Sequence, residues 1–137
     1  MREVLPDAIK EYIEKAPVCR IATVRADGDA HVIPVCPVFD GDATVYVDLG
    51  RKSATARALR LKPRVTVLID DYFDDWSKLR KVILYCDAQQ VTGAEQAAAW
   101  DRIRAKFPQY TTVKWEPRLT VALRISGWVA EGFPGAV

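Results

Sequence analysis

A chain of 137 residues fits one domain, the length at which a single core forms without splitting. Half of its residues are apolar and 28% are charged, the balance of a globular fold rather than of a disordered segment. A formal charge of only +2 gives no overall field that would draw it onto nucleic acid or an anionic membrane, so any anion site must be local.

The opening Met1-Arg2-Glu3-Val4-Leu5-Pro6 lacks the apolar run of a signal peptide. No stretch reaches the ~18 apolar residues of a membrane span, and the expectation is a cytoplasmic protein. Apolar Leu5, Ile9, Ile13 and Ala16 at near-helical intervals between Pro6 and Pro17 predict a short amphipathic helix. Residues 18–24 read as a strand, Asp27-Gly28 as a tight turn and residues 30–39 as a second extended run. A second Asp-Gly pair, Asp40-Gly41, leads into a third strand at residues 43–49, so these neighbours are antiparallel. Residues 53–62 predict a helix stopped by Pro63, and Val65 to Ile69 a fourth strand. After a loop at residues 70–78, residues 81–91 carry a fifth strand. Thr92-Gly93-Ala94-Glu95 matches a capping box opening a helix with Trp100, Ile103 and Phe107 on one side, ended by Pro108. Residues 119–129 form the last strand. This order predicts an α+β fold, mainly antiparallel: a six-stranded split β-barrel with short flanking helices, in one domain over residues 1–137.

Residues 50–64 concentrate six basic side chains and no acidic one: Arg51, Lys52, Arg57, Arg60, Lys62 and Arg64. Gly50 permits a sharp exit from the third strand, Ser53 can cap the helix, and the first turn then offers free amides beside Arg51 and Lys52. Cations at a helix N-terminus oppose the helix dipole, so a purely structural design would sooner place acids there. The pattern suits a phosphate. Arg60 and Lys62 lie near the C-terminal end, where the dipole favours them.

These residues carry a resemblance. With Cys19 to Val24, His31-Val32-Ile33-Pro34-Val35, Val45-Tyr46-Val47, Arg51-Lys52-Ser53, Pro63-Arg64-Val65, Asp70-Asp71-Tyr72, Asp75-Trp76 and Lys106 to Tyr110, in that order, the chain resembles the pyridoxamine-5′-phosphate-oxidase-like family, the FMN-binding split barrels. Within it the chain is most similar to the small flavin- or deazaflavin (F420)-dependent oxidoreductases. The resemblance implies a homodimer with the cofactor, FMN or alternatively F420, at the interface and a small-molecule substrate. It implies that Arg51, Lys52 and Ser53 hold the phosphate, and that the ring rests against Ile33, Pro34, Val35, Val47 and Asp48. Pro34 removes a ladder donor, which suits the approach of a flat ring to backbone. The Arg- and His-rich C-terminal segment of true pyridoxamine-phosphate oxidases has no counterpart in Glu131 to Val137, so that substrate is not implied. Cys36-Pro37 stands where relatives place aromatic residues after the proline of the second strand.

No side-chain nucleophile or carboxylate pair suggests itself, which fits chemistry carried by the ring. The same residues would serve a flavin-binding or storage module without turnover. A single-stranded nucleic-acid barrel would need aromatics among its basic residues, and residues 51–64 contain none. Cys19, Cys36 and Cys86, an odd number and widely spaced, read as buried free thiols, and with His31 the only histidine no zinc spacing is present. Asp70, Asp71, Asp74 and Asp75 lack the spacing of a calcium loop and read as an acidic loop that Lys78, Arg80 and Lys81 can neutralise. Trp115 and Trp128 read as core or pocket walls.

Overall fold

In the computed structural model, residues 4–112 and 117–135 are described. Helix α1 (Asp7–Lys15) is followed by strands β1 (Cys19–Val24), β2 (Ala30–Val35), β3 (Val38–Phe39) and β4 (Thr44–Leu49). Helix α2 (Ala54–Leu61) precedes β5 (Arg64–Asp71), a 3-10 turn (Trp76–Lys78) and β6 (Arg80–Gln90). Helices α3 (Gly93–Lys106) and α4 (Gln109–Thr112) lead to β7 (Leu119–Glu131).

Both Asp-Gly turns form as the sequence suggests. Gly28 and Gly41 take φ of 89° and 86°, the left-handed region open to glycine. The preceding aspartates hold the turns: Asp27 accepts from the Asp29 amide, and Asp40 from those of Asp42, Ala43 and Thr44. The strands make one seven-stranded antiparallel sheet in the order β2-β1-β5-β6-β7-β4-β3. One strand more than expected arises because residues 30–39 bend at Cys36-Pro37. The first half pairs with β1 and the second with β4.

That bend closes the molecule. β2 and β3 occupy opposite ends of the sheet yet are joined by only Cys36 and Pro37, a link that reaches about 10 Å at ~3.3–3.6 Å per residue. The sheet must therefore curl until its two ends approach without pairing, giving a half-barrel. A register shift between Tyr85 and Cys86 against β7 adds to the bend.

The barrel interior is filled by alternate residues of each strand, among them Ile21, Val47, Val67, Leu84 and Leu123, and is plugged by Ile9 and Ile13 of α1. Each isoleucine is fully buried, worth about 2–3 kcal/mol of hydrophobic stabilisation. A second core lies on the outside of β3, β4 and β7, where Trp100, Ile103, Phe107 and Tyr110 of α3 and its neighbourhood cover Val38, Tyr46 and Ala122. Both faces of β4 are thus buried, which explains its nearly unbroken apolar run.

The capping box does not form. Thr92 makes no side-chain cap, and Glu95 bonds the Tyr46 hydroxyl at 2.6 Å and the Arg124 guanidinium at 2.9 and 3.1 Å. A charge-assisted fork outcompetes a single backbone amide. No helix among the described residues is long and apolar enough to cross a membrane.

Candidate functional site

The turn between β4 and α2 is closed by the Ser53 amide donating to the Gly50 carbonyl at 3.0 Å. Ser53 is the N-cap of α2, its Oγ accepting from the Ala56 amide at 3.1 Å. Two arginines of α2 fold back onto the turn. Arg57 Nη1 donates to the Lys52 carbonyl at 2.7 Å, and Arg60 Nη2 to the Arg51 carbonyl at 2.9 Å. Arg60, which the dipole alone would explain, is thus also an anchor of the loop. The Ala54 and Thr55 amides at the head of the helix meet no acceptor among the described residues. Arg51 and Lys52 themselves are exposed. Gly50 has no left-handed φ, so the sharp exit from β4 does not depend on glycine's backbone freedom.

Ile33, Pro34 and Val35 lie at the end of β2, with Ile33 and Val35 turned to the barrel core and Pro34 exposed. β3 pairs only with Val45 and Tyr46 of β4, so the same edge of Val47 to Leu49 is left without a ladder partner among the described residues. Continuing that register puts Val47 opposite Pro37 and Asp48 opposite Cys36. Pro37 has no N–H to continue the ladder. The ladder is therefore split at the Cys36-Pro37 link, with the end of β2 at Ile33 to Val35 on one side of it and the unpaired edge of β4 at Val47-Asp48 on the other.

Two side chains expected along this split face elsewhere. Val47 is fully buried in the core and has only its backbone to offer at the split. Asp48 has a side chain only 1% exposed, and its carboxylate is engaged. It accepts from the Arg118 amide at 3.0 Å, from Arg118 Nε at 3.1 Å and from the Thr120 hydroxyl at 3.5 Å. Arg118 was not recognised as a site residue from sequence; its signal is the acid at position 48 within an otherwise apolar strand, which calls for a cation across the sheet.

A cleft of about 660 Å3 lies at the start of β1, between α1, the end of β5 and Phe133. Its charges are matched in pairs: Arg20 meets Asp70 at 3.3 Å and Arg80 meets Asp71 at 2.8 Å. Arg80 also stacks over Tyr12 at 4.7 Å. Burial, and then Asp71, push the Tyr12 phenol up, which keeps it protonated. The acidic residues 70 and 71 thus close β5 instead of opening a loop, and Lys81 pairs with Glu131. Among the described residues no three His, Cys, Asp or Glu converge on a metal position. His31 is half-buried opposite Thr23 on β1, Trp128 is buried in the barrel core, and Trp115 lies outside the described residues.

The sequence matches the family described as pyridoxamine 5′-phosphate oxidase over residues 5–128. No curated protein matches it. Among solved structures, HutZ, the heme storage protein of Vibrio cholerae, is similar with a TM-score of 0.79 and 18% identity over 97% of each chain. A FAD-binding protein of Mesorhizobium loti is similar with a TM-score of 0.75 and 17% identity over 93% of each chain. A heme-binding protein of Mycobacterium smegmatis gives a TM-score of 0.77 and 21% identity over 97% of this chain, which spans 57% of that protein's length. At such identities the likeness is one of fold. With the half-barrel, the split between β2 and β4 and a family match spanning residues 5–128, the chain belongs to the pyridoxamine 5′-phosphate oxidase family.

Proposed function

We propose that this protein binds a flavin, FMN, or alternatively the deazaflavin F420, with its phosphate at the turn of Arg51, Lys52 and Ser53 and its ring along the split, and that it acts as an oxidoreductase on a small molecule. The observation that carries the reading is a local imbalance of charge. Arg20, Arg25, Arg64, Arg80 and Arg124 each meet a carboxylate. Arg51, Lys52, Arg57 and Arg60 meet none among the described residues, and the two arginines of α2 are spent on loop carbonyls. Four neighbouring cations with no internal counter-ion, beside two unbonded helix amides, favour an external anion.

The ring, when bound, would supply hydride or electron transfer. The chain's part is to bind and shield it: Ile33, Val35 and Val47 make the split's walls stiff from within the core, and Pro34 leaves a strand edge without a donor. Membership of the family supports the flavin, as does the likeness in fold to a protein described as FAD-binding.

A second copy would cover the outer sheet face. Val32, Tyr85 and Val129 are 59%, 40% and 43% exposed there, with Leu68 and Ile83 between them. Charged rows flank the apolar ones, Arg64 with Asp87 at one end and Lys81 with Glu131 at the other. Such a face is self-complementary under two-fold rotation, the arrangement a homodimer uses.

Titration of the purified protein with FMN, F420 and hemin, read by absorbance and fluorescence, tests the reading. FMN or F420 is expected to bind, and Arg51→Ala with Lys52→Ala is expected to weaken it by at least about tenfold. Equal affinity in both proteins removes the phosphate site, and binding of hemin alone removes the flavin. Reduction of bound FMN by NAD(P)H, or turnover with reduced F420, separates an oxidoreductase from a storage module.

A further inference from the structure

The β4–β7 register pairs Asp48 with Thr120. Two residues along, the same register sets Gly50 opposite Arg118, on the same face of the ladder. A Cβ on Gly50 would stand 3.6 Å from Arg118 Nη1. Arg118 therefore lies directly over the first residue of the turn that carries Arg51 and Lys52.

How Arg118 is held matters more than that it is near. Its main-chain amide and its Nε both donate to Asp48, one to each carboxylate oxygen. Asp48 is in turn steadied by Thr120, which accepts from Gln96 Nε2 of α3 at 2.9 Å. The Asp48 side chain is 1% exposed and that of Arg118 is 52% exposed. Burying a carboxylate is costly in lost hydration. Doing so for a cation left half in water is a poor way to gain stability, but it fixes the arginine's otherwise loose rotamer. Both terminal nitrogens, Nη1 and Nη2, remain without a protein partner among the described residues. They form the end-on fork that grips phosphate oxygens in pairs.

We infer that Arg118, aimed by the buried Asp48, is a further ligand for the phosphate at the Arg51–Lys52 turn. Asp48 is then a positioning residue and not a contact of the ring. The inference rests on the proposed phosphate site and adds the residue that makes it selective for a phosphate monoester over an uncharged ring.

The test compares FMN with riboflavin, which carries the same ring and no phosphate, by calorimetric titration of wild type, Arg118→Ala, Arg118→Lys and Asp48→Asn. Arg118→Ala is expected to weaken FMN by about tenfold or more and to leave riboflavin unchanged. Arg118→Lys keeps the charge without the fork and should fall between, and Asp48→Asn should give a smaller loss confined to FMN. Thermal melts of each variant check that the fold is intact, and Arg118→Lys carries the comparison if Arg118→Ala does not fold. Equal weakening of FMN and riboflavin assigns Arg118 a structural role and overturns the inference. Unchanged FMN binding in Arg118→Ala, with loss in the Arg51→Ala, Lys52→Ala protein, overturns the inference and leaves the proposed site standing. No FMN binding by wild type, with no protection by inorganic phosphate, removes both.

Discussion

Glu95 on α3 and Arg124 on β7 form a two-pronged ion pair, Nη1 to Oε2 at 2.9 Å and Nη2 to Oε1 at 3.1 Å, that ties the outer helix to the sheet. The Tyr46 hydroxyl donates to the same carboxylate, and Gln89 accepts from the other side of Arg124. Hydrogen bonding to Arg124 first, then to Tyr46, holds the Glu95 carboxyl below its usual range. A carboxyl depressed by folding stabilises the native state above its unfolded value near 4.3, and that contribution is lost as pH falls through the folded value. Because both side chains are more than a third exposed, the pair is worth only about 1 kcal/mol after solvent screening. Urea denaturation at neutral pH should show Glu95→Gln less stable than wild type by about that amount. The gap should close below pH ~4. A gap that is the same at pH 3 and pH 7 would mean that the charge contributes nothing.

The same glutamate shows where sequence reading stops. Hairpins, the Ser53 cap and the apolar faces of α1 and α3 are local patterns, and the residues that make them lie within a few positions of one another. Thr92 to Glu95 also satisfied a local template, but Glu95 is taken by Arg124, 29 positions away, and nothing near Glu95 announces that partner. Asp48 and Arg118 are 70 positions apart. Read alone, Asp48 is a polar residue beside a possible ring; only the pairing of β4 with β7 turns it inward and brings Arg118 to the turn. The basic residues at 51 and 52 stand out in the sequence because their oddity, cations at a helix start, is itself local. The extra strand was hidden for a different reason: a kink at Cys36-Pro37 changes the partner of an extended run without changing its extended character.

Two glycines just past strand ends should respond to alanine very differently. Gly132, just past β7, has φ of +84°, and a Cβ there would come within 2.2 Å of the Leu79 carbonyl oxygen and 3.0 Å of Arg80 Cα. Backbone cannot step aside as a flexible side chain can, so Gly132→Ala must displace the turn that seats Phe133 against Tyr12, whose rings meet edge-on at 5.1 Å. The cost combines left-handed strain of about 1–2 kcal/mol with the clash. At Gly50 the nearest atoms would be 3.6 and 3.9 Å away, an ordinary contact. Gly50→Ala should change unfolding free energy by no more than about 0.5–1 kcal/mol. Equal denaturation midpoints for the two variants would show that the C-terminal turn does not hold the end of the barrel as described.

The three thiols should separate cleanly by reactivity. Cys19 and Cys86 are fully buried within the barrel, and burial is the main cause pushing each up to about 12. Only the thiolate attacks a disulfide reagent, so neither should react in the native state at pH 8. Cys36, at the kink between β2 and β3, is partly exposed, and the Pro37 carbonyl next to it accepts from Lys106 Nζ at 2.9 Å. Labelling native protein with an aromatic disulfide should give one fast equivalent, against all three cysteines in denaturant, and Cys36→Ser should abolish the fast phase. The buried pair also sets an alkaline limit. Thiols whose folded values are raised stabilise the native state fully below the unfolded value near 8.5, and that contribution falls away as pH climbs toward about 12. Unfolding midpoints should therefore be flat up to pH ~8.5 and decline above it, less steeply in Cys86→Ala at matched stability. Two or more fast equivalents at pH 8 would place one of the buried thiols outside the core and break the account of how the barrel closes.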